Sequence, residues 1–419
     1  MASQLNIAAF LPALKTMYAD QKVIDLTYSD HPFYAMLAKK DNFFGDKYPL
    51  ISTLSGVGGS SSSFARAKAR KNATNRAKFD LVRRRHYTFA SIDNETAEAS
   101  ENDKGAFLKA LSAEIDSALK TETRHLAHKL VNGNGTGVLD TVAVVSGAGP
   151  YVVTLNNYSA LRTMEIGQYV GFFAGAVIAD TATAQLTDAA APAKYGQITA
   201  IDRIGKKITV AMGAGVPVVA DKVFFDGDVN EGSGLGLDLV GLDGWLPTAN
   251  PSSTSFFGVD RTVDVTRLGG VRRSDLVGAP IEEALIELSS DVCIEGGNPD
   301  VSLVSHSKWK ELEKAMGSKV QYMISNAFGS GKIGFQGIQV KTNKGVMNVI
   351  SEPSLVDNRI YCLTMKTWAL HSLKAPVRIL DLDGNKMLRE SDSDGNELRI
   401  GGYRQLGCEA VGHNGVALI

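Results

Sequence analysis

The sequence predicts an α+β protein that carries a separate all-β block within it, and three observations lead there. A leucine-patterned run over residues 104–132 has the spacing of one long helix. Residues 141 to about 230 hold only short alternating segments separated by Gly, Asn, Asp and Pro, the pattern of a small barrel or sandwich. After that block, helical and strand-like segments are mixed to the C-terminus.

Taken in order, residues 1–46 mix short amphipathic pieces with turn residues and read as an arm with one or two brief helices. Residues 47–93 contain KYPLISTLS and FDLVRRRHYTFASID, both rich in β-branched and aromatic residues, with a Gly/Ser run and a basic run between them. This predicts a long hairpin with a mobile middle. It has no apolar stripe wide enough for a core of its own, so it must lie against something else or move. In the long helix, Leu108, Leu111, Ile115, Leu119, Leu126 and Leu130 share one face. Asn102 or Asp103 can cap its start and Gly133 can end it. At about 1.5 Å per residue it spans roughly 40 Å, long enough for an architectural strut.

VNGNGTGVLD then makes a hinge. YVVTL, GQYVGFF, GQITAID and KKITVAM are the clearest strands of the β block, TATAQLTDAAAPAKYG is a long loop within it, and FDGDVNEGSGLGLD closes it. APIEEALIELSSDV is a helix, with Pro280 suited to its first position and Glu282 and Glu283 favouring its positive end. PDVSLVSHSKWKELEKAMG reads as a strand and a helix ended by Gly317. GFQGIQVKT, GVMNVISEP, RIYCLTMKTWALHS and APVRILDLDG follow as strands, and the Asp-Gly pairs of DGNKMLRESDSDGNELRI predict a hairpin.

The totals bound the function. A chain of 419 residues suggests two or three domains, and 44% hydrophobic with 21% charged residues is ordinary for a folded protein. The longest uncharged run, residues 166–179, is too short to span a bilayer, and the first residues carry no basic leader. No membrane partner is expected. Cys293, Cys362 and Cys408 are far apart and form no CxxC or Cys/His cluster, so they read as small buried hydrophobes.

No motif indicates catalysis, a cofactor or a metal. His125 and His128 lie three apart on the long helix, but no third ligand is near in sequence. DLDGN and SDSDGNE lack the glycine and glutamate positions of an EF-hand loop and fit hairpin turns. GVGGSS and GSGLGLDLVG lack GK[ST], and GxSxG is absent.

What stands out is charge. Residues 55–86 contain Arg66, Lys68, Arg70, Lys71, Arg76, Lys78, Arg83, Arg84 and Arg85 against one acid, Asp80. The whole protein sums to −1, so the remainder is net acidic. That balance argues against sequence-independent DNA binding as the main role. Three readings of the basic segment stand: a nucleic-acid arm with Phe79, Tyr87 and Phe89 for stacking, an unpaired solvated arm, or a surface that docks on acidic patches of a like subunit. Candidate acidic partners are Asp226, Asp228, Glu231, Asp392, Asp394 and Glu397.

The order of the parts resembles the major capsid proteins of tailed phages, the Hong Kong 97-type fold. VNGNGTG after HLAHKL is similar to the turn that ends that family's spine helix. IGFQGIQVKTNKGVMNVISEPSLVDNRIYCLTM is similar to its strand–turn–strand, Asp/Glu-Pro and tyrosine-strand passage, and YRQLGCEAVGHNGVALI to its C-terminal return. The resemblance implies an N-terminal arm (1–46), an E-loop hairpin (47–93), a peripheral domain with the spine helix (94–140) and a β insertion domain (141–246). An axial domain (247–354) and returning peripheral strands with a C-terminal axial segment (355–419) complete it. It also implies a non-enzymatic virion protein, assembled in the host bacterial cytoplasm, whose hexamers and pentamers close an icosahedral head around double-stranded DNA without sequence-specific binding. A portal, and in some members decoration proteins, would be partners. Only about 45 residues precede the hairpin, so a separate scaffolding protein is expected rather than a fused one. The alternatives are an encapsulin-like shell protein, a nucleic-acid-binding protein that uses the basic hairpin, and a hydrolase with an unrecognised site.

Overall fold

The computed structural model describes residues 31–93, 95, 110–174, 194–213, 215–228, 237–252, 255–316, 323–325, 335–380, 387–390 and 394–419. The described residues form two large open sheets, a closed barrel, a hairpin, a two-stranded ribbon (Ser255–Phe256 with Val259–Asp260) and the long helix Ala110–Asn132. Leu108 and the expected caps Asn102 and Asp103 lie outside the described residues. Gly133 ends the helix: its N–H donates to the Lys129 carbonyl at 2.8 Å, and its carbonyl accepts from Gly241 N–H at 2.8 Å. A Cβ at position 133 would collide with the Lys129 and Leu239 carbonyl oxygens, so only glycine lets the helix end touch the segment that follows the barrel.

The first sheet is built on Gly395–Cys408, which pairs antiparallel with Arg84–Asp93, Trp368–Ser372, Arg378–Ile379 and Met387–Arg389. The last of these makes the hairpin expected from DGNKMLRESDSDGNELRI. Ala38–Lys40 adds to Trp368–Ser372 in parallel. The helix lays Ile115, Ala118 and Leu119 on Ala90, Leu398 and Ile400 of this sheet, while Leu126 and Leu130 enter the main core.

The second sheet has seven strands, in the order Val271–Arg273, Gly415–Leu418, Arg359–Leu363, Val301–Val304, Val346–Ser351, Phe335–Lys341, Met323–Ser325. The last strand of the chain is thus held between two others. Helix Ile281–Ile294 presses Ile281, Ala284, Leu285, Leu288 and Val292 onto this sheet, at the three- and four-residue spacing of a one-faced helix.

Strands Val138–Ser146, Tyr151–Leu155, Tyr169–Phe173, Lys194–Asp202, Lys207–Met212 and Lys222–Phe225 form a closed six-stranded antiparallel barrel. Val142, Val153, Val170, Phe172, Ile198, Ile208, Val210 and Val223 fill its interior. Closure leaves no edge strand exposed to pairing. Of the two forms the alternating segments predict, barrel or sandwich, this is the barrel.

The hairpin pairs Lys47–Ser55 with Asn75–Val82. Its returning arm is shorter than the sequence suggests, because Arg84–Asp93 leaves it for the first sheet. The inward residues reveal the break. Ala77, Phe79 and Leu81 are buried on odd positions, Ala90 and Ile92 on even ones, so the parity flips around Arg83. The hairpin lies against its own chain at its root. Phe79 is fully buried, with its ring 5.3 Å from Trp245 and 6.2 Å from Phe256, and the Asp80 N–H donates to the Phe257 carbonyl at 2.8 Å.

Candidate subunit interface and the charged root of the arm

Beyond the buried root, residues 56–74 project as the tip of the hairpin, with one short helix, Phe64–Ala69. Arg66, Lys68, Arg70, Lys71 and Arg76 are all exposed, and none forms an ion pair with another described residue. Lys78 is turned to Asp80 at 3.0 Å, an exposed pair that contributes little. Beside the charges, Phe64 is 83% exposed and Val57 69%.

The three arginines at the root behave differently. Arg83 donates to the Phe43 carbonyl at 3.1 Å and lies 5.3 Å over that ring. Arg84 is half-buried, and burial lowers its pKa against the opposing field of Asp238. Arg85 is exposed. All three line a cleft of about 950 Å³ between strand Arg84–Asp93, the long helix and the barrel. Asp226 and Asp228 of the same chain line that cleft too.

Of the other acids, Asp394 lies 3.6 Å from Arg389 and Glu397 pairs with Arg399. Asp228 is engaged by Lys129 at 2.8 Å. Asp226 is exposed, and Glu231 and Asp392 lie outside the described residues.

The helix carries a buried ionic network that sequence reasoning missed. Glu122 is fully buried and receives Arg404, His86 at 2.6 Å and Thr88 at 2.8 Å. Burial would raise its carboxyl, but His86 and Arg404 outweigh that and hold it well below the usual carboxylate range. Two turns further on, Lys129 is buried between Asp228 at 2.8 Å and Asp238 at 3.0 Å. Burial would lower its pKa; the two carboxylates raise it instead and keep the ammonium charged. Glu122, His125 and Lys129 recur at three- and four-residue spacing, which in sequence reads as a solvated face. The first sheet covers Glu122 and the barrel with the segment after it covers His125 and Lys129, so the helical spacing alone did not tell a covered face from a solvated one.

His125 and His128 are accordingly buried, not surface residues. The His125 ring stacks on Phe225 at 4.6 Å and its Nε2 lies 3.1 Å from the Thr163 carbonyl. Burial pushes His128 down to about 4. Among the described residues no group of three or more His, Cys, Asp or Glu is placed to hold a metal. The three cysteines are free and buried, and burial raises the Cys362 and Cys408 thiols to about 12, which leaves them unreactive. No helix among the described residues is long and apolar enough to cross a membrane.

No protein-family model matches the chain, and no curated protein matches it. Solved structures do. The capsid of the cyanophage A-1(L) aligns over 96% of this chain and 95% of its own, with a TM-score of 0.51 and 10% sequence identity. The capsid of a native GTA particle aligns over 97% of this chain and 95% of its own, with a TM-score of 0.50 and 7% identity. The chain has the Hong Kong 97-type capsid fold. A less similar shell is the holo-SrpI encapsulin complex from Synechococcus elongatus PCC 7942, with a TM-score of 0.45, 8% identity and coverage of 100% and 96%.

On this capsid fold the exposed charge sits at the tip of the hairpin and the paired charge at its root. The fold also presents exposed apolar side chains, including Phe64, Ile286 and Ile294.

Proposed function

We propose that the protein is a major capsid protein whose hexamers and pentamers close an icosahedral phage head around double-stranded DNA. The observation that carries the reading is the capsid fold itself, matched over nearly the full length of this chain and of the capsid chains it resembles. The hairpin supports it: a buried root fixes the arm, and a basic, partly apolar tip is presented to a neighbour. In this reading residues 47–82 are the E-loop, Ala110–Asn132 is the spine helix, the barrel is an insertion, and the seven-stranded sheet is the axial domain. A separate scaffolding protein assists assembly in the bacterial cytoplasm, and a portal completes the head. Individually weak subunit contacts suffice because each is repeated many times.

Light scattering on the nuclease-treated protein, with and without a co-expressed scaffold, tests this. Hexamers, pentamers or megadalton shells are expected. A monomer or dimer that persists under both conditions would sink the reading.

A further inference from the structure

The outer face of helix Ile281–Ile294 is unpartnered and has a composition opposite to that of the hairpin tip. Glu282, Glu283, Ile286 and Ile294 point outward on one side, with Ile286 55% and Ile294 76% exposed. Val277, in the loop before the helix, is 68% exposed. Residues 271–297 carry six acids against two arginines. Arg273 already holds Asp275, Glu287 and Asp291, and Arg272 donates to the Gly269 and Val265 carbonyls. Glu282 and Glu283 have no side-chain partner among the described residues. Residues 55–75 carry Arg66, Lys68, Arg70 and Lys71 and no acid, with Val57 and Phe64 exposed beside them.

We infer that the tip of the hairpin of one copy docks on the outer face of helix Ile281–Ile294 of a second copy, with its bases on Glu282 and Glu283 and Phe64 against Ile286 and Ile294. This rests on the capsid reading and names a specific acidic surface for the arm. Both patches are exposed in the same chain, so they do not cover each other there. The tip is also shaped in advance. Asn72 Oδ1 accepts from Gly58 N–H, and a Cβ at Gly59 would meet the Ala67 carbonyl and the Lys71 backbone, so the loop is tightly closed before it binds. Such preorganisation lowers the ordering cost of docking. Opposed charge sets the register, and the apolar residues supply buried area.

The test is a charge swap in the full chain, co-expressed with its scaffold. Glu282→Lys with Glu283→Lys, or Arg66→Glu with Lys68→Glu, should each lower the yield of assembled particles about tenfold without changing the melting of the unassembled chain. Combining the two pairs should restore most of the yield. A second measurement uses Phe64→Cys with Ile286→Cys, which should form an intermolecular disulfide on oxidation, since the native cysteines are buried. If the wild type assembles and either reversed pair assembles equally well, the docking is overturned and the capsid reading stands. Loss without rescue in the combined variant, or no disulfide in assembled particles, also overturns the docking, because the face then serves another partner. A wild type that never assembles removes both.

Discussion

Glu352 shows how one buried group can set a pH response. It is fully buried at the start of the short helix Pro32–Met36 and accepts from Phe33 N–H at 3.0 Å and Ser354 N–H at 3.2 Å. Burial pushes its carboxyl up to about 7, against those two hydrogen bonds. A carboxyl with a raised folded pKa stabilises the fold fully below its unfolded value, about 4.3, and loses that contribution as pH rises through about 7. His128 runs the other way. With its folded pKa depressed to about 4, its contribution is present above about 6.5 and lost as pH falls through about 4. The two oppose each other in mildly acid solution. Denaturant unfolding of Glu352→Gln at pH 7 and pH 5 should therefore show a steeper loss on acidification than the parent, by roughly 2–3 kcal/mol. Parallel pH dependence in the two proteins would exclude this role. Trp245 is a simpler case. It is fully buried with its ring within 6.4 Å of Phe79, Phe256, Phe257 and Trp368, and its Nε1–H donates to the Leu406 carbonyl at 3.1 Å. Trp245→Ala should cost about 3–5 kcal/mol in the same assay, because it opens a cavity where the hairpin root meets the core.

At the scale of elements, the long helix is held by apolar packing on one side and ion pairs on the other. Arg404→Leu would leave Glu122 buried with only His86 and Thr88, and should cost about 3–5 kcal/mol. Glu122→Leu combined with Arg404→Leu removes both charges and should recover most of that loss. A double variant as unstable as the single one would mean that the pair holds the sheet to the helix by shape rather than charge. The barrel is bound to the same helix through Phe225, Asp228 and Glu165, which meet His125, Lys129 and Arg124. It is part of the helix's packing, although it reads in sequence as an independent block.

For the whole molecule, the proposed docking predicts that assembly depends on charge that the single chain leaves unspent. Neutralising Arg66, Lys68, Arg70 and Lys71 to Gln should leave the melting of the isolated chain unchanged and make particle formation weaker and less sensitive to salt. Arg83 and Arg84 suit this test poorly, since they contact their own chain at the root of the hairpin. Particle yield across a salt series measures it, and an unchanged yield would remove the tip from the interface.

The sequence by itself determined the elements whose signal is local. Leucines at helical spacing predict a helix over 104–132, of which Ala110–Asn132 is described, alternation with turn residues predicts a barrel or sandwich, and Asp-Gly predicts the last hairpin. It also located the exposed basic run, because charge density needs no partner to be read. Only the tertiary structure decided where a strand changes sheet, as at Arg83, and which polar face is covered. Glu122 and Lys129 look solvated in one dimension. Asp228, Asp238 and Arg404, which satisfy them, lie 99 or more residues away in sequence and meet them only when the barrel and the return strand close on the helix. A residue's spacing fixes which side of a helix it occupies; what lies on that side is a matter of long-range packing.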